Sequence, residues 1–261
     1  MSSPAARTRA KATVAKFAAK TGGGVFSAIS RGDVANGLTR RVDYPGDIDQ
    51  GSSSLCGPSA LLFNVARDNP EKYVGFVTDL YDRGRATLGK LTIEPGTDLK
   101  AYAPNKSDIA PVDWIALASI RDSENWFFDY QSTQDEFAGI TMPSALEDWF
   151  KKAGYRDVKN ETNIFFTKGQ DNARKASDLF KKGYKVSLFI NALMLTSSKH
   201  TEDSWTPDHW VVLNSTITMT AKSVLFKIYT WGNPSRAVPY KGTLSQEDFL
   251  DNYYGFVACK L

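Results

Sequence analysis

A glutamine, a cysteine and a histidine carry the chemistry legible in this chain. Gln50 stands six residues before Cys56 in Gln50-Gly51-Ser52-Ser53-Ser54-Leu55-Cys56-Gly57-Pro58-Ser59-Ala60-Leu61-Leu62. The apolar run places Cys56 at the start of a predicted helix. Ser53 or Ser54 is the expected cap, and Pro58 fits a first turn, where no amide hydrogen is needed. A thiol attacks as its thiolate, and the unpaired amides and positive dipole end of a helix N-terminus favour that form. Gly57 leaves room at the sulfur. Far downstream, His209 leads Trp210-Val211-Val212-Leu213, the pattern of a buried strand. An imidazole at a strand edge can face a helix start and take a thiol proton. A tetrahedral intermediate then needs hydrogen-bond donors, and the Cys56 amide and the Gln50 side chain are at hand. An early cysteine, a late histidine and a polar residue on the following strand form the constellation of a cysteine hydrolase.

The other candidates carry less. Cys259 sits in the strand-like Gly255-Phe256-Val257-Ala258-Cys259 and reads as core. His200, in Ser198-Lys199-His200-Thr201-Glu202, reads as a solvated loop residue. Gly84-Arg85-Ala86-Thr87-Leu88-Gly89-Lys90 has the first seven places of a phosphate-binding loop, but Leu91 stands where a magnesium-binding hydroxyl is needed. Two Cys and two His without paired spacing make no zinc site, so no metal and no cofactor is expected. Glu136 with Glu147 or Asp148 could form a carboxylate pair, which sequence cannot place.

The elements that must position these groups follow from periodicity. Helices are predicted over 56–66, from Asn69-Pro70 to Gly84, and over 111–127, 142–153 and 172–182. Strands are predicted over 185–193, 209–217 and 223–231, then a short helix over 245–253 and a strand over 255–259. Helices come first and sheet last, which is α+β segregation. Residues 4–20, Ala- and Lys-rich, read as a helix or a helical tail with a weak apolar stripe of Ala5, Val14, Phe17 and Ala18, and 1–24, ending in Thr21-Gly22-Gly23-Gly24, as a flexible basic tail. One domain then spans 25–261, helical over about 25–183 and sheet over about 184–261.

The bulk numbers agree with a globular protein of 261 residues, 42% hydrophobic and 23% charged. A net charge of +3 does not point to nucleic acid. No stretch reaches the roughly 18 apolar residues of a membrane span. The basic N-terminus lacks the apolar core of a Sec signal.

The Gln50–Cys56 step, the His209 strand and Tyr229-Thr230-Trp231-Gly232 on the strand after it resemble the papain-like superfamily of cysteine peptidases and amidases. Cys56-Gly57-Pro58-Ser59-Ala60 looks most like its bacterial double-glycine-peptidase and toxin branches. The resemblance implies a nucleophile helix packed on a C-terminal antiparallel sheet. It also implies a third residue orienting the histidine. A gapless match puts Tyr229 there, and Asn233, just past the turn, is the alternative. The implied activity is cleavage of an amide bond in a protein or in a peptidoglycan peptide. Deamidase or transglutaminase chemistry on the same site is a second outcome, and a non-catalytic binding module on the same scaffold a third. The middle, about 85–180, would shape or cap the cleft. By analogy the protein is a bacterial effector or toxin, made in the cytoplasm and secreted without a Sec signal, with a secretion-system or immunity partner.

Overall fold

A computed structural model describes residues 2–105, 107–124, 140–196 and 206–261. His200 and Glu136 lie outside the described residues, as does the end of the helix predicted over 111–127. The chain is α+β, and it divides into two units: Met1–Ala138 with Lys152–Gly154, and Gly139–Lys151 with Tyr155–Leu261.

The first unit is helical. Ser3 caps α1 (Pro4–Ala18) by accepting from the Ala6 amide, with Pro4 at the first position. Ala10, Val14 and Phe17, spaced for one helix face, are buried against α2 (Arg31–Asp43) and the helix Pro70–Arg83. The flexible tail expected over 1–24 is therefore corrected: most of it is a packed helix. Three of its basic residues are also committed, since Arg9 pairs with Glu71, Lys11 with Asp43 and Lys20 with Asp82. The helix itself was legible in 4–20, but its packing was not, because the buried stripe consists of one phenylalanine, one valine and an alanine. The glycine run is not a free linker either: a Cβ on Gly24 would stand 2.3 Å from the Tyr81 carbonyl oxygen, so only glycine fits.

A 3₁₀ turn, Pro45–Asp47, leads to the loop that carries Gln50 and into α3 (Cys56–Asp68). Every residue from Cys56 to Ala66 is buried, so α3 is the unit's central helix. Asn69 caps α4 (Pro70–Arg83) through the Lys72 amide, and Gly84 closes it. The hairpin of β1 (Ala86–Leu88) and β2 (Leu91–Ile93) follows, with Leu88 opposite Leu91. The would-be phosphate loop is thus a helix cap and a hairpin turn. After α5 (Thr97–Ala101) come α6 (Pro111–Asp113), a π-helical stretch Trp114–Ala118 and α7 (Ser119–Glu124), joined without a break.

The second unit holds α8 (Pro143–Lys152), β3 (Arg156–Asn160), α9 (Gln170–Lys181), β4 (Lys185–Ile190), β5 (His209–Leu213), β6 (Thr218–Met219), β7 (Val224–Thr230), β8 (Asn233–Val238), α10 (Gln246–Asp251) and β9 (Tyr253–Lys260). The sheet runs β3-β9-β4-β5-β7-β6, with β8 also on β7, and its described pairings are antiparallel. Ala173, Ala176 and Leu179 of α9 join Val186, Leu188, Val211, Ile228 and Phe256 in one core. α9 therefore belongs with the sheet, and the boundary expected near 183–184 falls earlier. The strand predicted over 185–193 stops at Ile190, because Asn191 caps the 3₁₀ turn Ala192–Leu195. Among the described residues no helix is long and apolar enough to cross a membrane.

Candidate active site

Cys56 is the first residue of α3 and only 3% exposed. Its N-cap is Leu55, which supplies no side-chain cap, and the Ser59 amide closes the first turn on the Leu55 carbonyl. The expected Ser53 or Ser54 cap is not made. Ser53 turns back instead, its hydroxyl donating to the Gln50 carbonyl.

Gln50 is buried, 5% exposed, and its Nε2 donates to the Ser53 carbonyl at 2.9 Å. That bond uses one amide hydrogen and leaves the second for another acceptor. Upstream, the Asp49 amide donates to Asp113 Oδ2 at 3.0 Å, and the Asp49 side chain accepts from the Gly51 amide at 2.9 Å. Gly51 has φ +60, and a Cβ there would fall 2.0 Å from the Asp108 carbonyl oxygen. The loop therefore has a defined shape set by backbone and side-chain bonds.

His209, in the second unit, is 3% exposed. Its Nε2 and the hydroxyl of Thr230 share a hydrogen bond of 2.8 Å. Trp231 covers the ring in a near-parallel stack, with centroids 4.3 Å apart and planes at 13°. Strand register explains why Thr230 is the partner. Val212 pairs with Tyr229 and Leu213 with Ile228, so alternation puts Tyr229 on the face of Trp210 and Val212. Thr230 falls on the face of His209 and Val211. Trp231 and Gly232 then form the two-residue turn into β8, with φ of 42° and 64°, and Thr230 pairs with Asn233. Positive φ at both positions is what a primed hairpin turn requires, and it is costly for a tryptophan.

Asn233, the alternative third residue, does not face His209 through any hydrogen bond among the described residues. It is exposed, and its Oδ1 accepts from the Ser235 amide. The carboxylate next to His209 is engaged elsewhere, since Asp208 Oδ1 accepts from the Ala192 amide at 2.7 Å. On the reverse face of β5, Trp210 stacks on Phe189 and donates to the Thr141 carbonyl, which fixes the strand that carries His209.

Burial pushes the His209 pKa down to about 3, since no carboxylate compensates for its lost hydration. At neutral pH the ring is therefore uncharged. Thr230, unlike a carboxylate, adds no charge to reverse this, and its hydroxyl can either donate or accept. Cys259 is fully buried in β9, as its sequence context suggested. Among the described residues no group of three or more His, Cys, Asp or Glu side chains could hold a metal ion.

Thr230 is the His209 partner that sequence reasoning passed over. The signal was strand parity: once β5 and β7 are aligned, the residue sharing the His209 face is Thr230. Comparison with family models, with curated proteins and with solved structures finds no match to this chain.

Proposed function

We propose that the protein is a papain-like thiol hydrolase that cleaves an amide bond of a protein or of a peptidoglycan peptide. Cys56 attacks the carbonyl carbon, and His209 takes the thiol proton and passes it to the leaving amine. The product is a thioester on Cys56. Water, giving a proton to His209, then attacks the thioester and releases the acid and the thiol. Gln50 and the Cys56 amide hold the oxyanion, and Thr230 orients the imidazole. The observation that carries the reading is the buried His209–Thr230 hydrogen bond under the Trp231 ring. Among the described residues Nδ1 of that ring has no hydrogen-bond partner, so one nitrogen is oriented and the other is left for a proton transfer. Because the imidazole is neutral, the thiol proton moves as the attack proceeds, by general-base catalysis. An effector or toxin role belongs to the same proposal and rests on the resemblance of the Cys56 segment.

The test is alkylation by iodoacetamide, followed by peptide mass at Cys56 and Cys259 in wild type and His209→Ala. Faster reaction at Cys56, slowed by His209→Ala, supports the hydrolase; equal or absent reaction at both thiols overturns it. Release of peptides from purified cell wall by wild type but not by Cys56→Ala would identify that substrate.

A second reading is a binding module on the same scaffold. Its support is the burial of Cys56 and His209, each 3% exposed, together with the low pKa of the histidine. An inert Cys56 in a folded protein is the result it expects.

A further inference from the structure

The buried ion pair Arg41–Asp113 lies outside the reacting groups, yet it reaches the loop that leads to them. Arg41 on α2 meets Asp113 on α6 in a two-bond fork, Nε to Oδ1 at 3.1 Å and Nη2 to Oδ2 at 2.5 Å. Asp113 is 0% exposed and Arg41 7%. The same Oδ2 accepts from the Asp49 amide, one residue before Gln50. Asp49 in turn holds the Gly51 amide, and Gly51 is wedged on the Asp108 carbonyl, five residues before Asp113. The segment 108–113 thus grips residues 49–51 at two points.

A buried ion pair is a poor device for stability alone, because desolvation offsets most of its attraction and an apolar pair often serves as well. What an apolar pair cannot do is accept the Asp49 amide. We infer that Arg41–Asp113 is a positioning pair that sets the conformation of the Gln50 loop ahead of Cys56. Its catalytic meaning rests on the thiol-hydrolase reading, whereas its hold on the loop does not.

The surroundings of Asp113 make the grip sensitive to acid. Arg41 faces it from α2, Tyr73 from α4, and Asp49 from the loop, while Asp47 acts on Arg41. Tyr73 is fully buried and its hydroxyl has no hydrogen-bond partner among the described residues. Burial pushes the Asp113 carboxyl up to about 6, with Arg41 and the Asp49 amide pulling the other way. Protonation below that pH discharges the acceptor of the Asp49 amide.

The experiment is amide hydrogen exchange of the full chain, read as protection factors for residues 49–55 and for α4. It compares wild type, Asp113→Asn and the double variant Arg41→Met/Asp113→Leu. We expect protection at Asp49 and Gly51 to fall about tenfold or more in Asp113→Asn, the loss typical of a hydrogen bond to a charged acceptor, while α4 keeps its protection. The double variant, which restores an apolar core, should keep α4 protected and leave the loop loose. Wild-type loop protection should fall as pH drops through about 6, and that of Asp113→Asn should not. Unchanged loop protection in both variants, or a loss spread evenly over α4 and the loop in both, overturns the inference. Cys56 alkylation in the same samples separates the two ideas. If wild-type Cys56 is no faster than Cys259, the hydrolase reading fails, and a loosened loop still establishes what the pair holds.

Discussion

His209 and Thr230 share a buried hydrogen bond 2.8 Å long, one residue past Tyr229, where a gapless match puts the partner of the histidine. A hydroxyl can orient an imidazole, but it neither brings a charge nor fixes one tautomer. The arrangement therefore favours a neutral imidazole over a standing imidazolium.

Thr230→Val keeps the shape and removes the bond, leaving Nε2 of the buried ring without its partner. It should cost about 1–3 kcal/mol of stability, read by urea denaturation, and slow Cys56 alkylation. Thr230→Ser should retain most of both. A valine variant as stable and as reactive as wild type would mean that the hydroxyl does not position the ring.

The low pKa of His209 sets a pH dependence with a definite sign. The unfolded histidine takes a proton near 6.5 and the folded one only near 3. Between these values the unfolded state binds more protons, so stability falls as pH falls from about 6.5 to about 3. At pH 5 the loss is about 2 kcal/mol. Asp113, with its carboxyl pushed up to about 6, contributes with the opposite sign below that pH. The measurement is therefore the difference between wild type and His209→Gln at pH 7.5 and pH 5, in which Asp113 cancels. A difference that does not change with pH would mean that His209 is charged in the fold.

Much of this was legible and some was not, for physical reasons. α3, α4 and the strands carrying His209 and Thr230 have dense apolar periods, and those survive any context. Strands β3 and β8, Arg156–Asn160 and Asn233–Val238, are polar edge segments that become strands only because β9 and β7 offer them hydrogen bonds. Gln50, Cys56 and His209 could be picked by type and spacing. Thr230 could not, because the face a side chain takes depends on register, and register is a property of two strands together. The Arg41–Asp113 pair spans 72 residues, and no local pattern announces it.

The packed helix α1 changes what removal of residues 1–24 should do. Phe17 is 2% exposed, meets the Tyr81 ring edge-on at 5.4 Å and lies under the Arg31 guanidinium. Phe17→Ala should cost about 3–5 kcal/mol, and deletion of 1–24 should leave a destabilised protein. A chain that lost nothing in thermal stability on deletion, and whose Cys56 became more reactive, would instead make α1 an inhibitory element.

Trp231 offers the sharpest separation of strain from shielding. Its φ of 42° puts a bulky side chain in the left-handed region, at a cost of about 1–2 kcal/mol. The ring is stacked there on His209, in position to keep water from the imidazole. Trp231→Gly removes both the strain and the ring, so its net change in stability should stay within about 1 kcal/mol. Trp231→Ala removes the ring and keeps the strain, and should be the less stable of the two. In both, His209 gains solvent, and its pKa should climb from about 3 towards its ordinary value near 6.5, read by NMR titration of the ring. A histidine that still titrates near 3 in the glycine variant would assign its burial to the sheet and leave Trp231 without a shielding role.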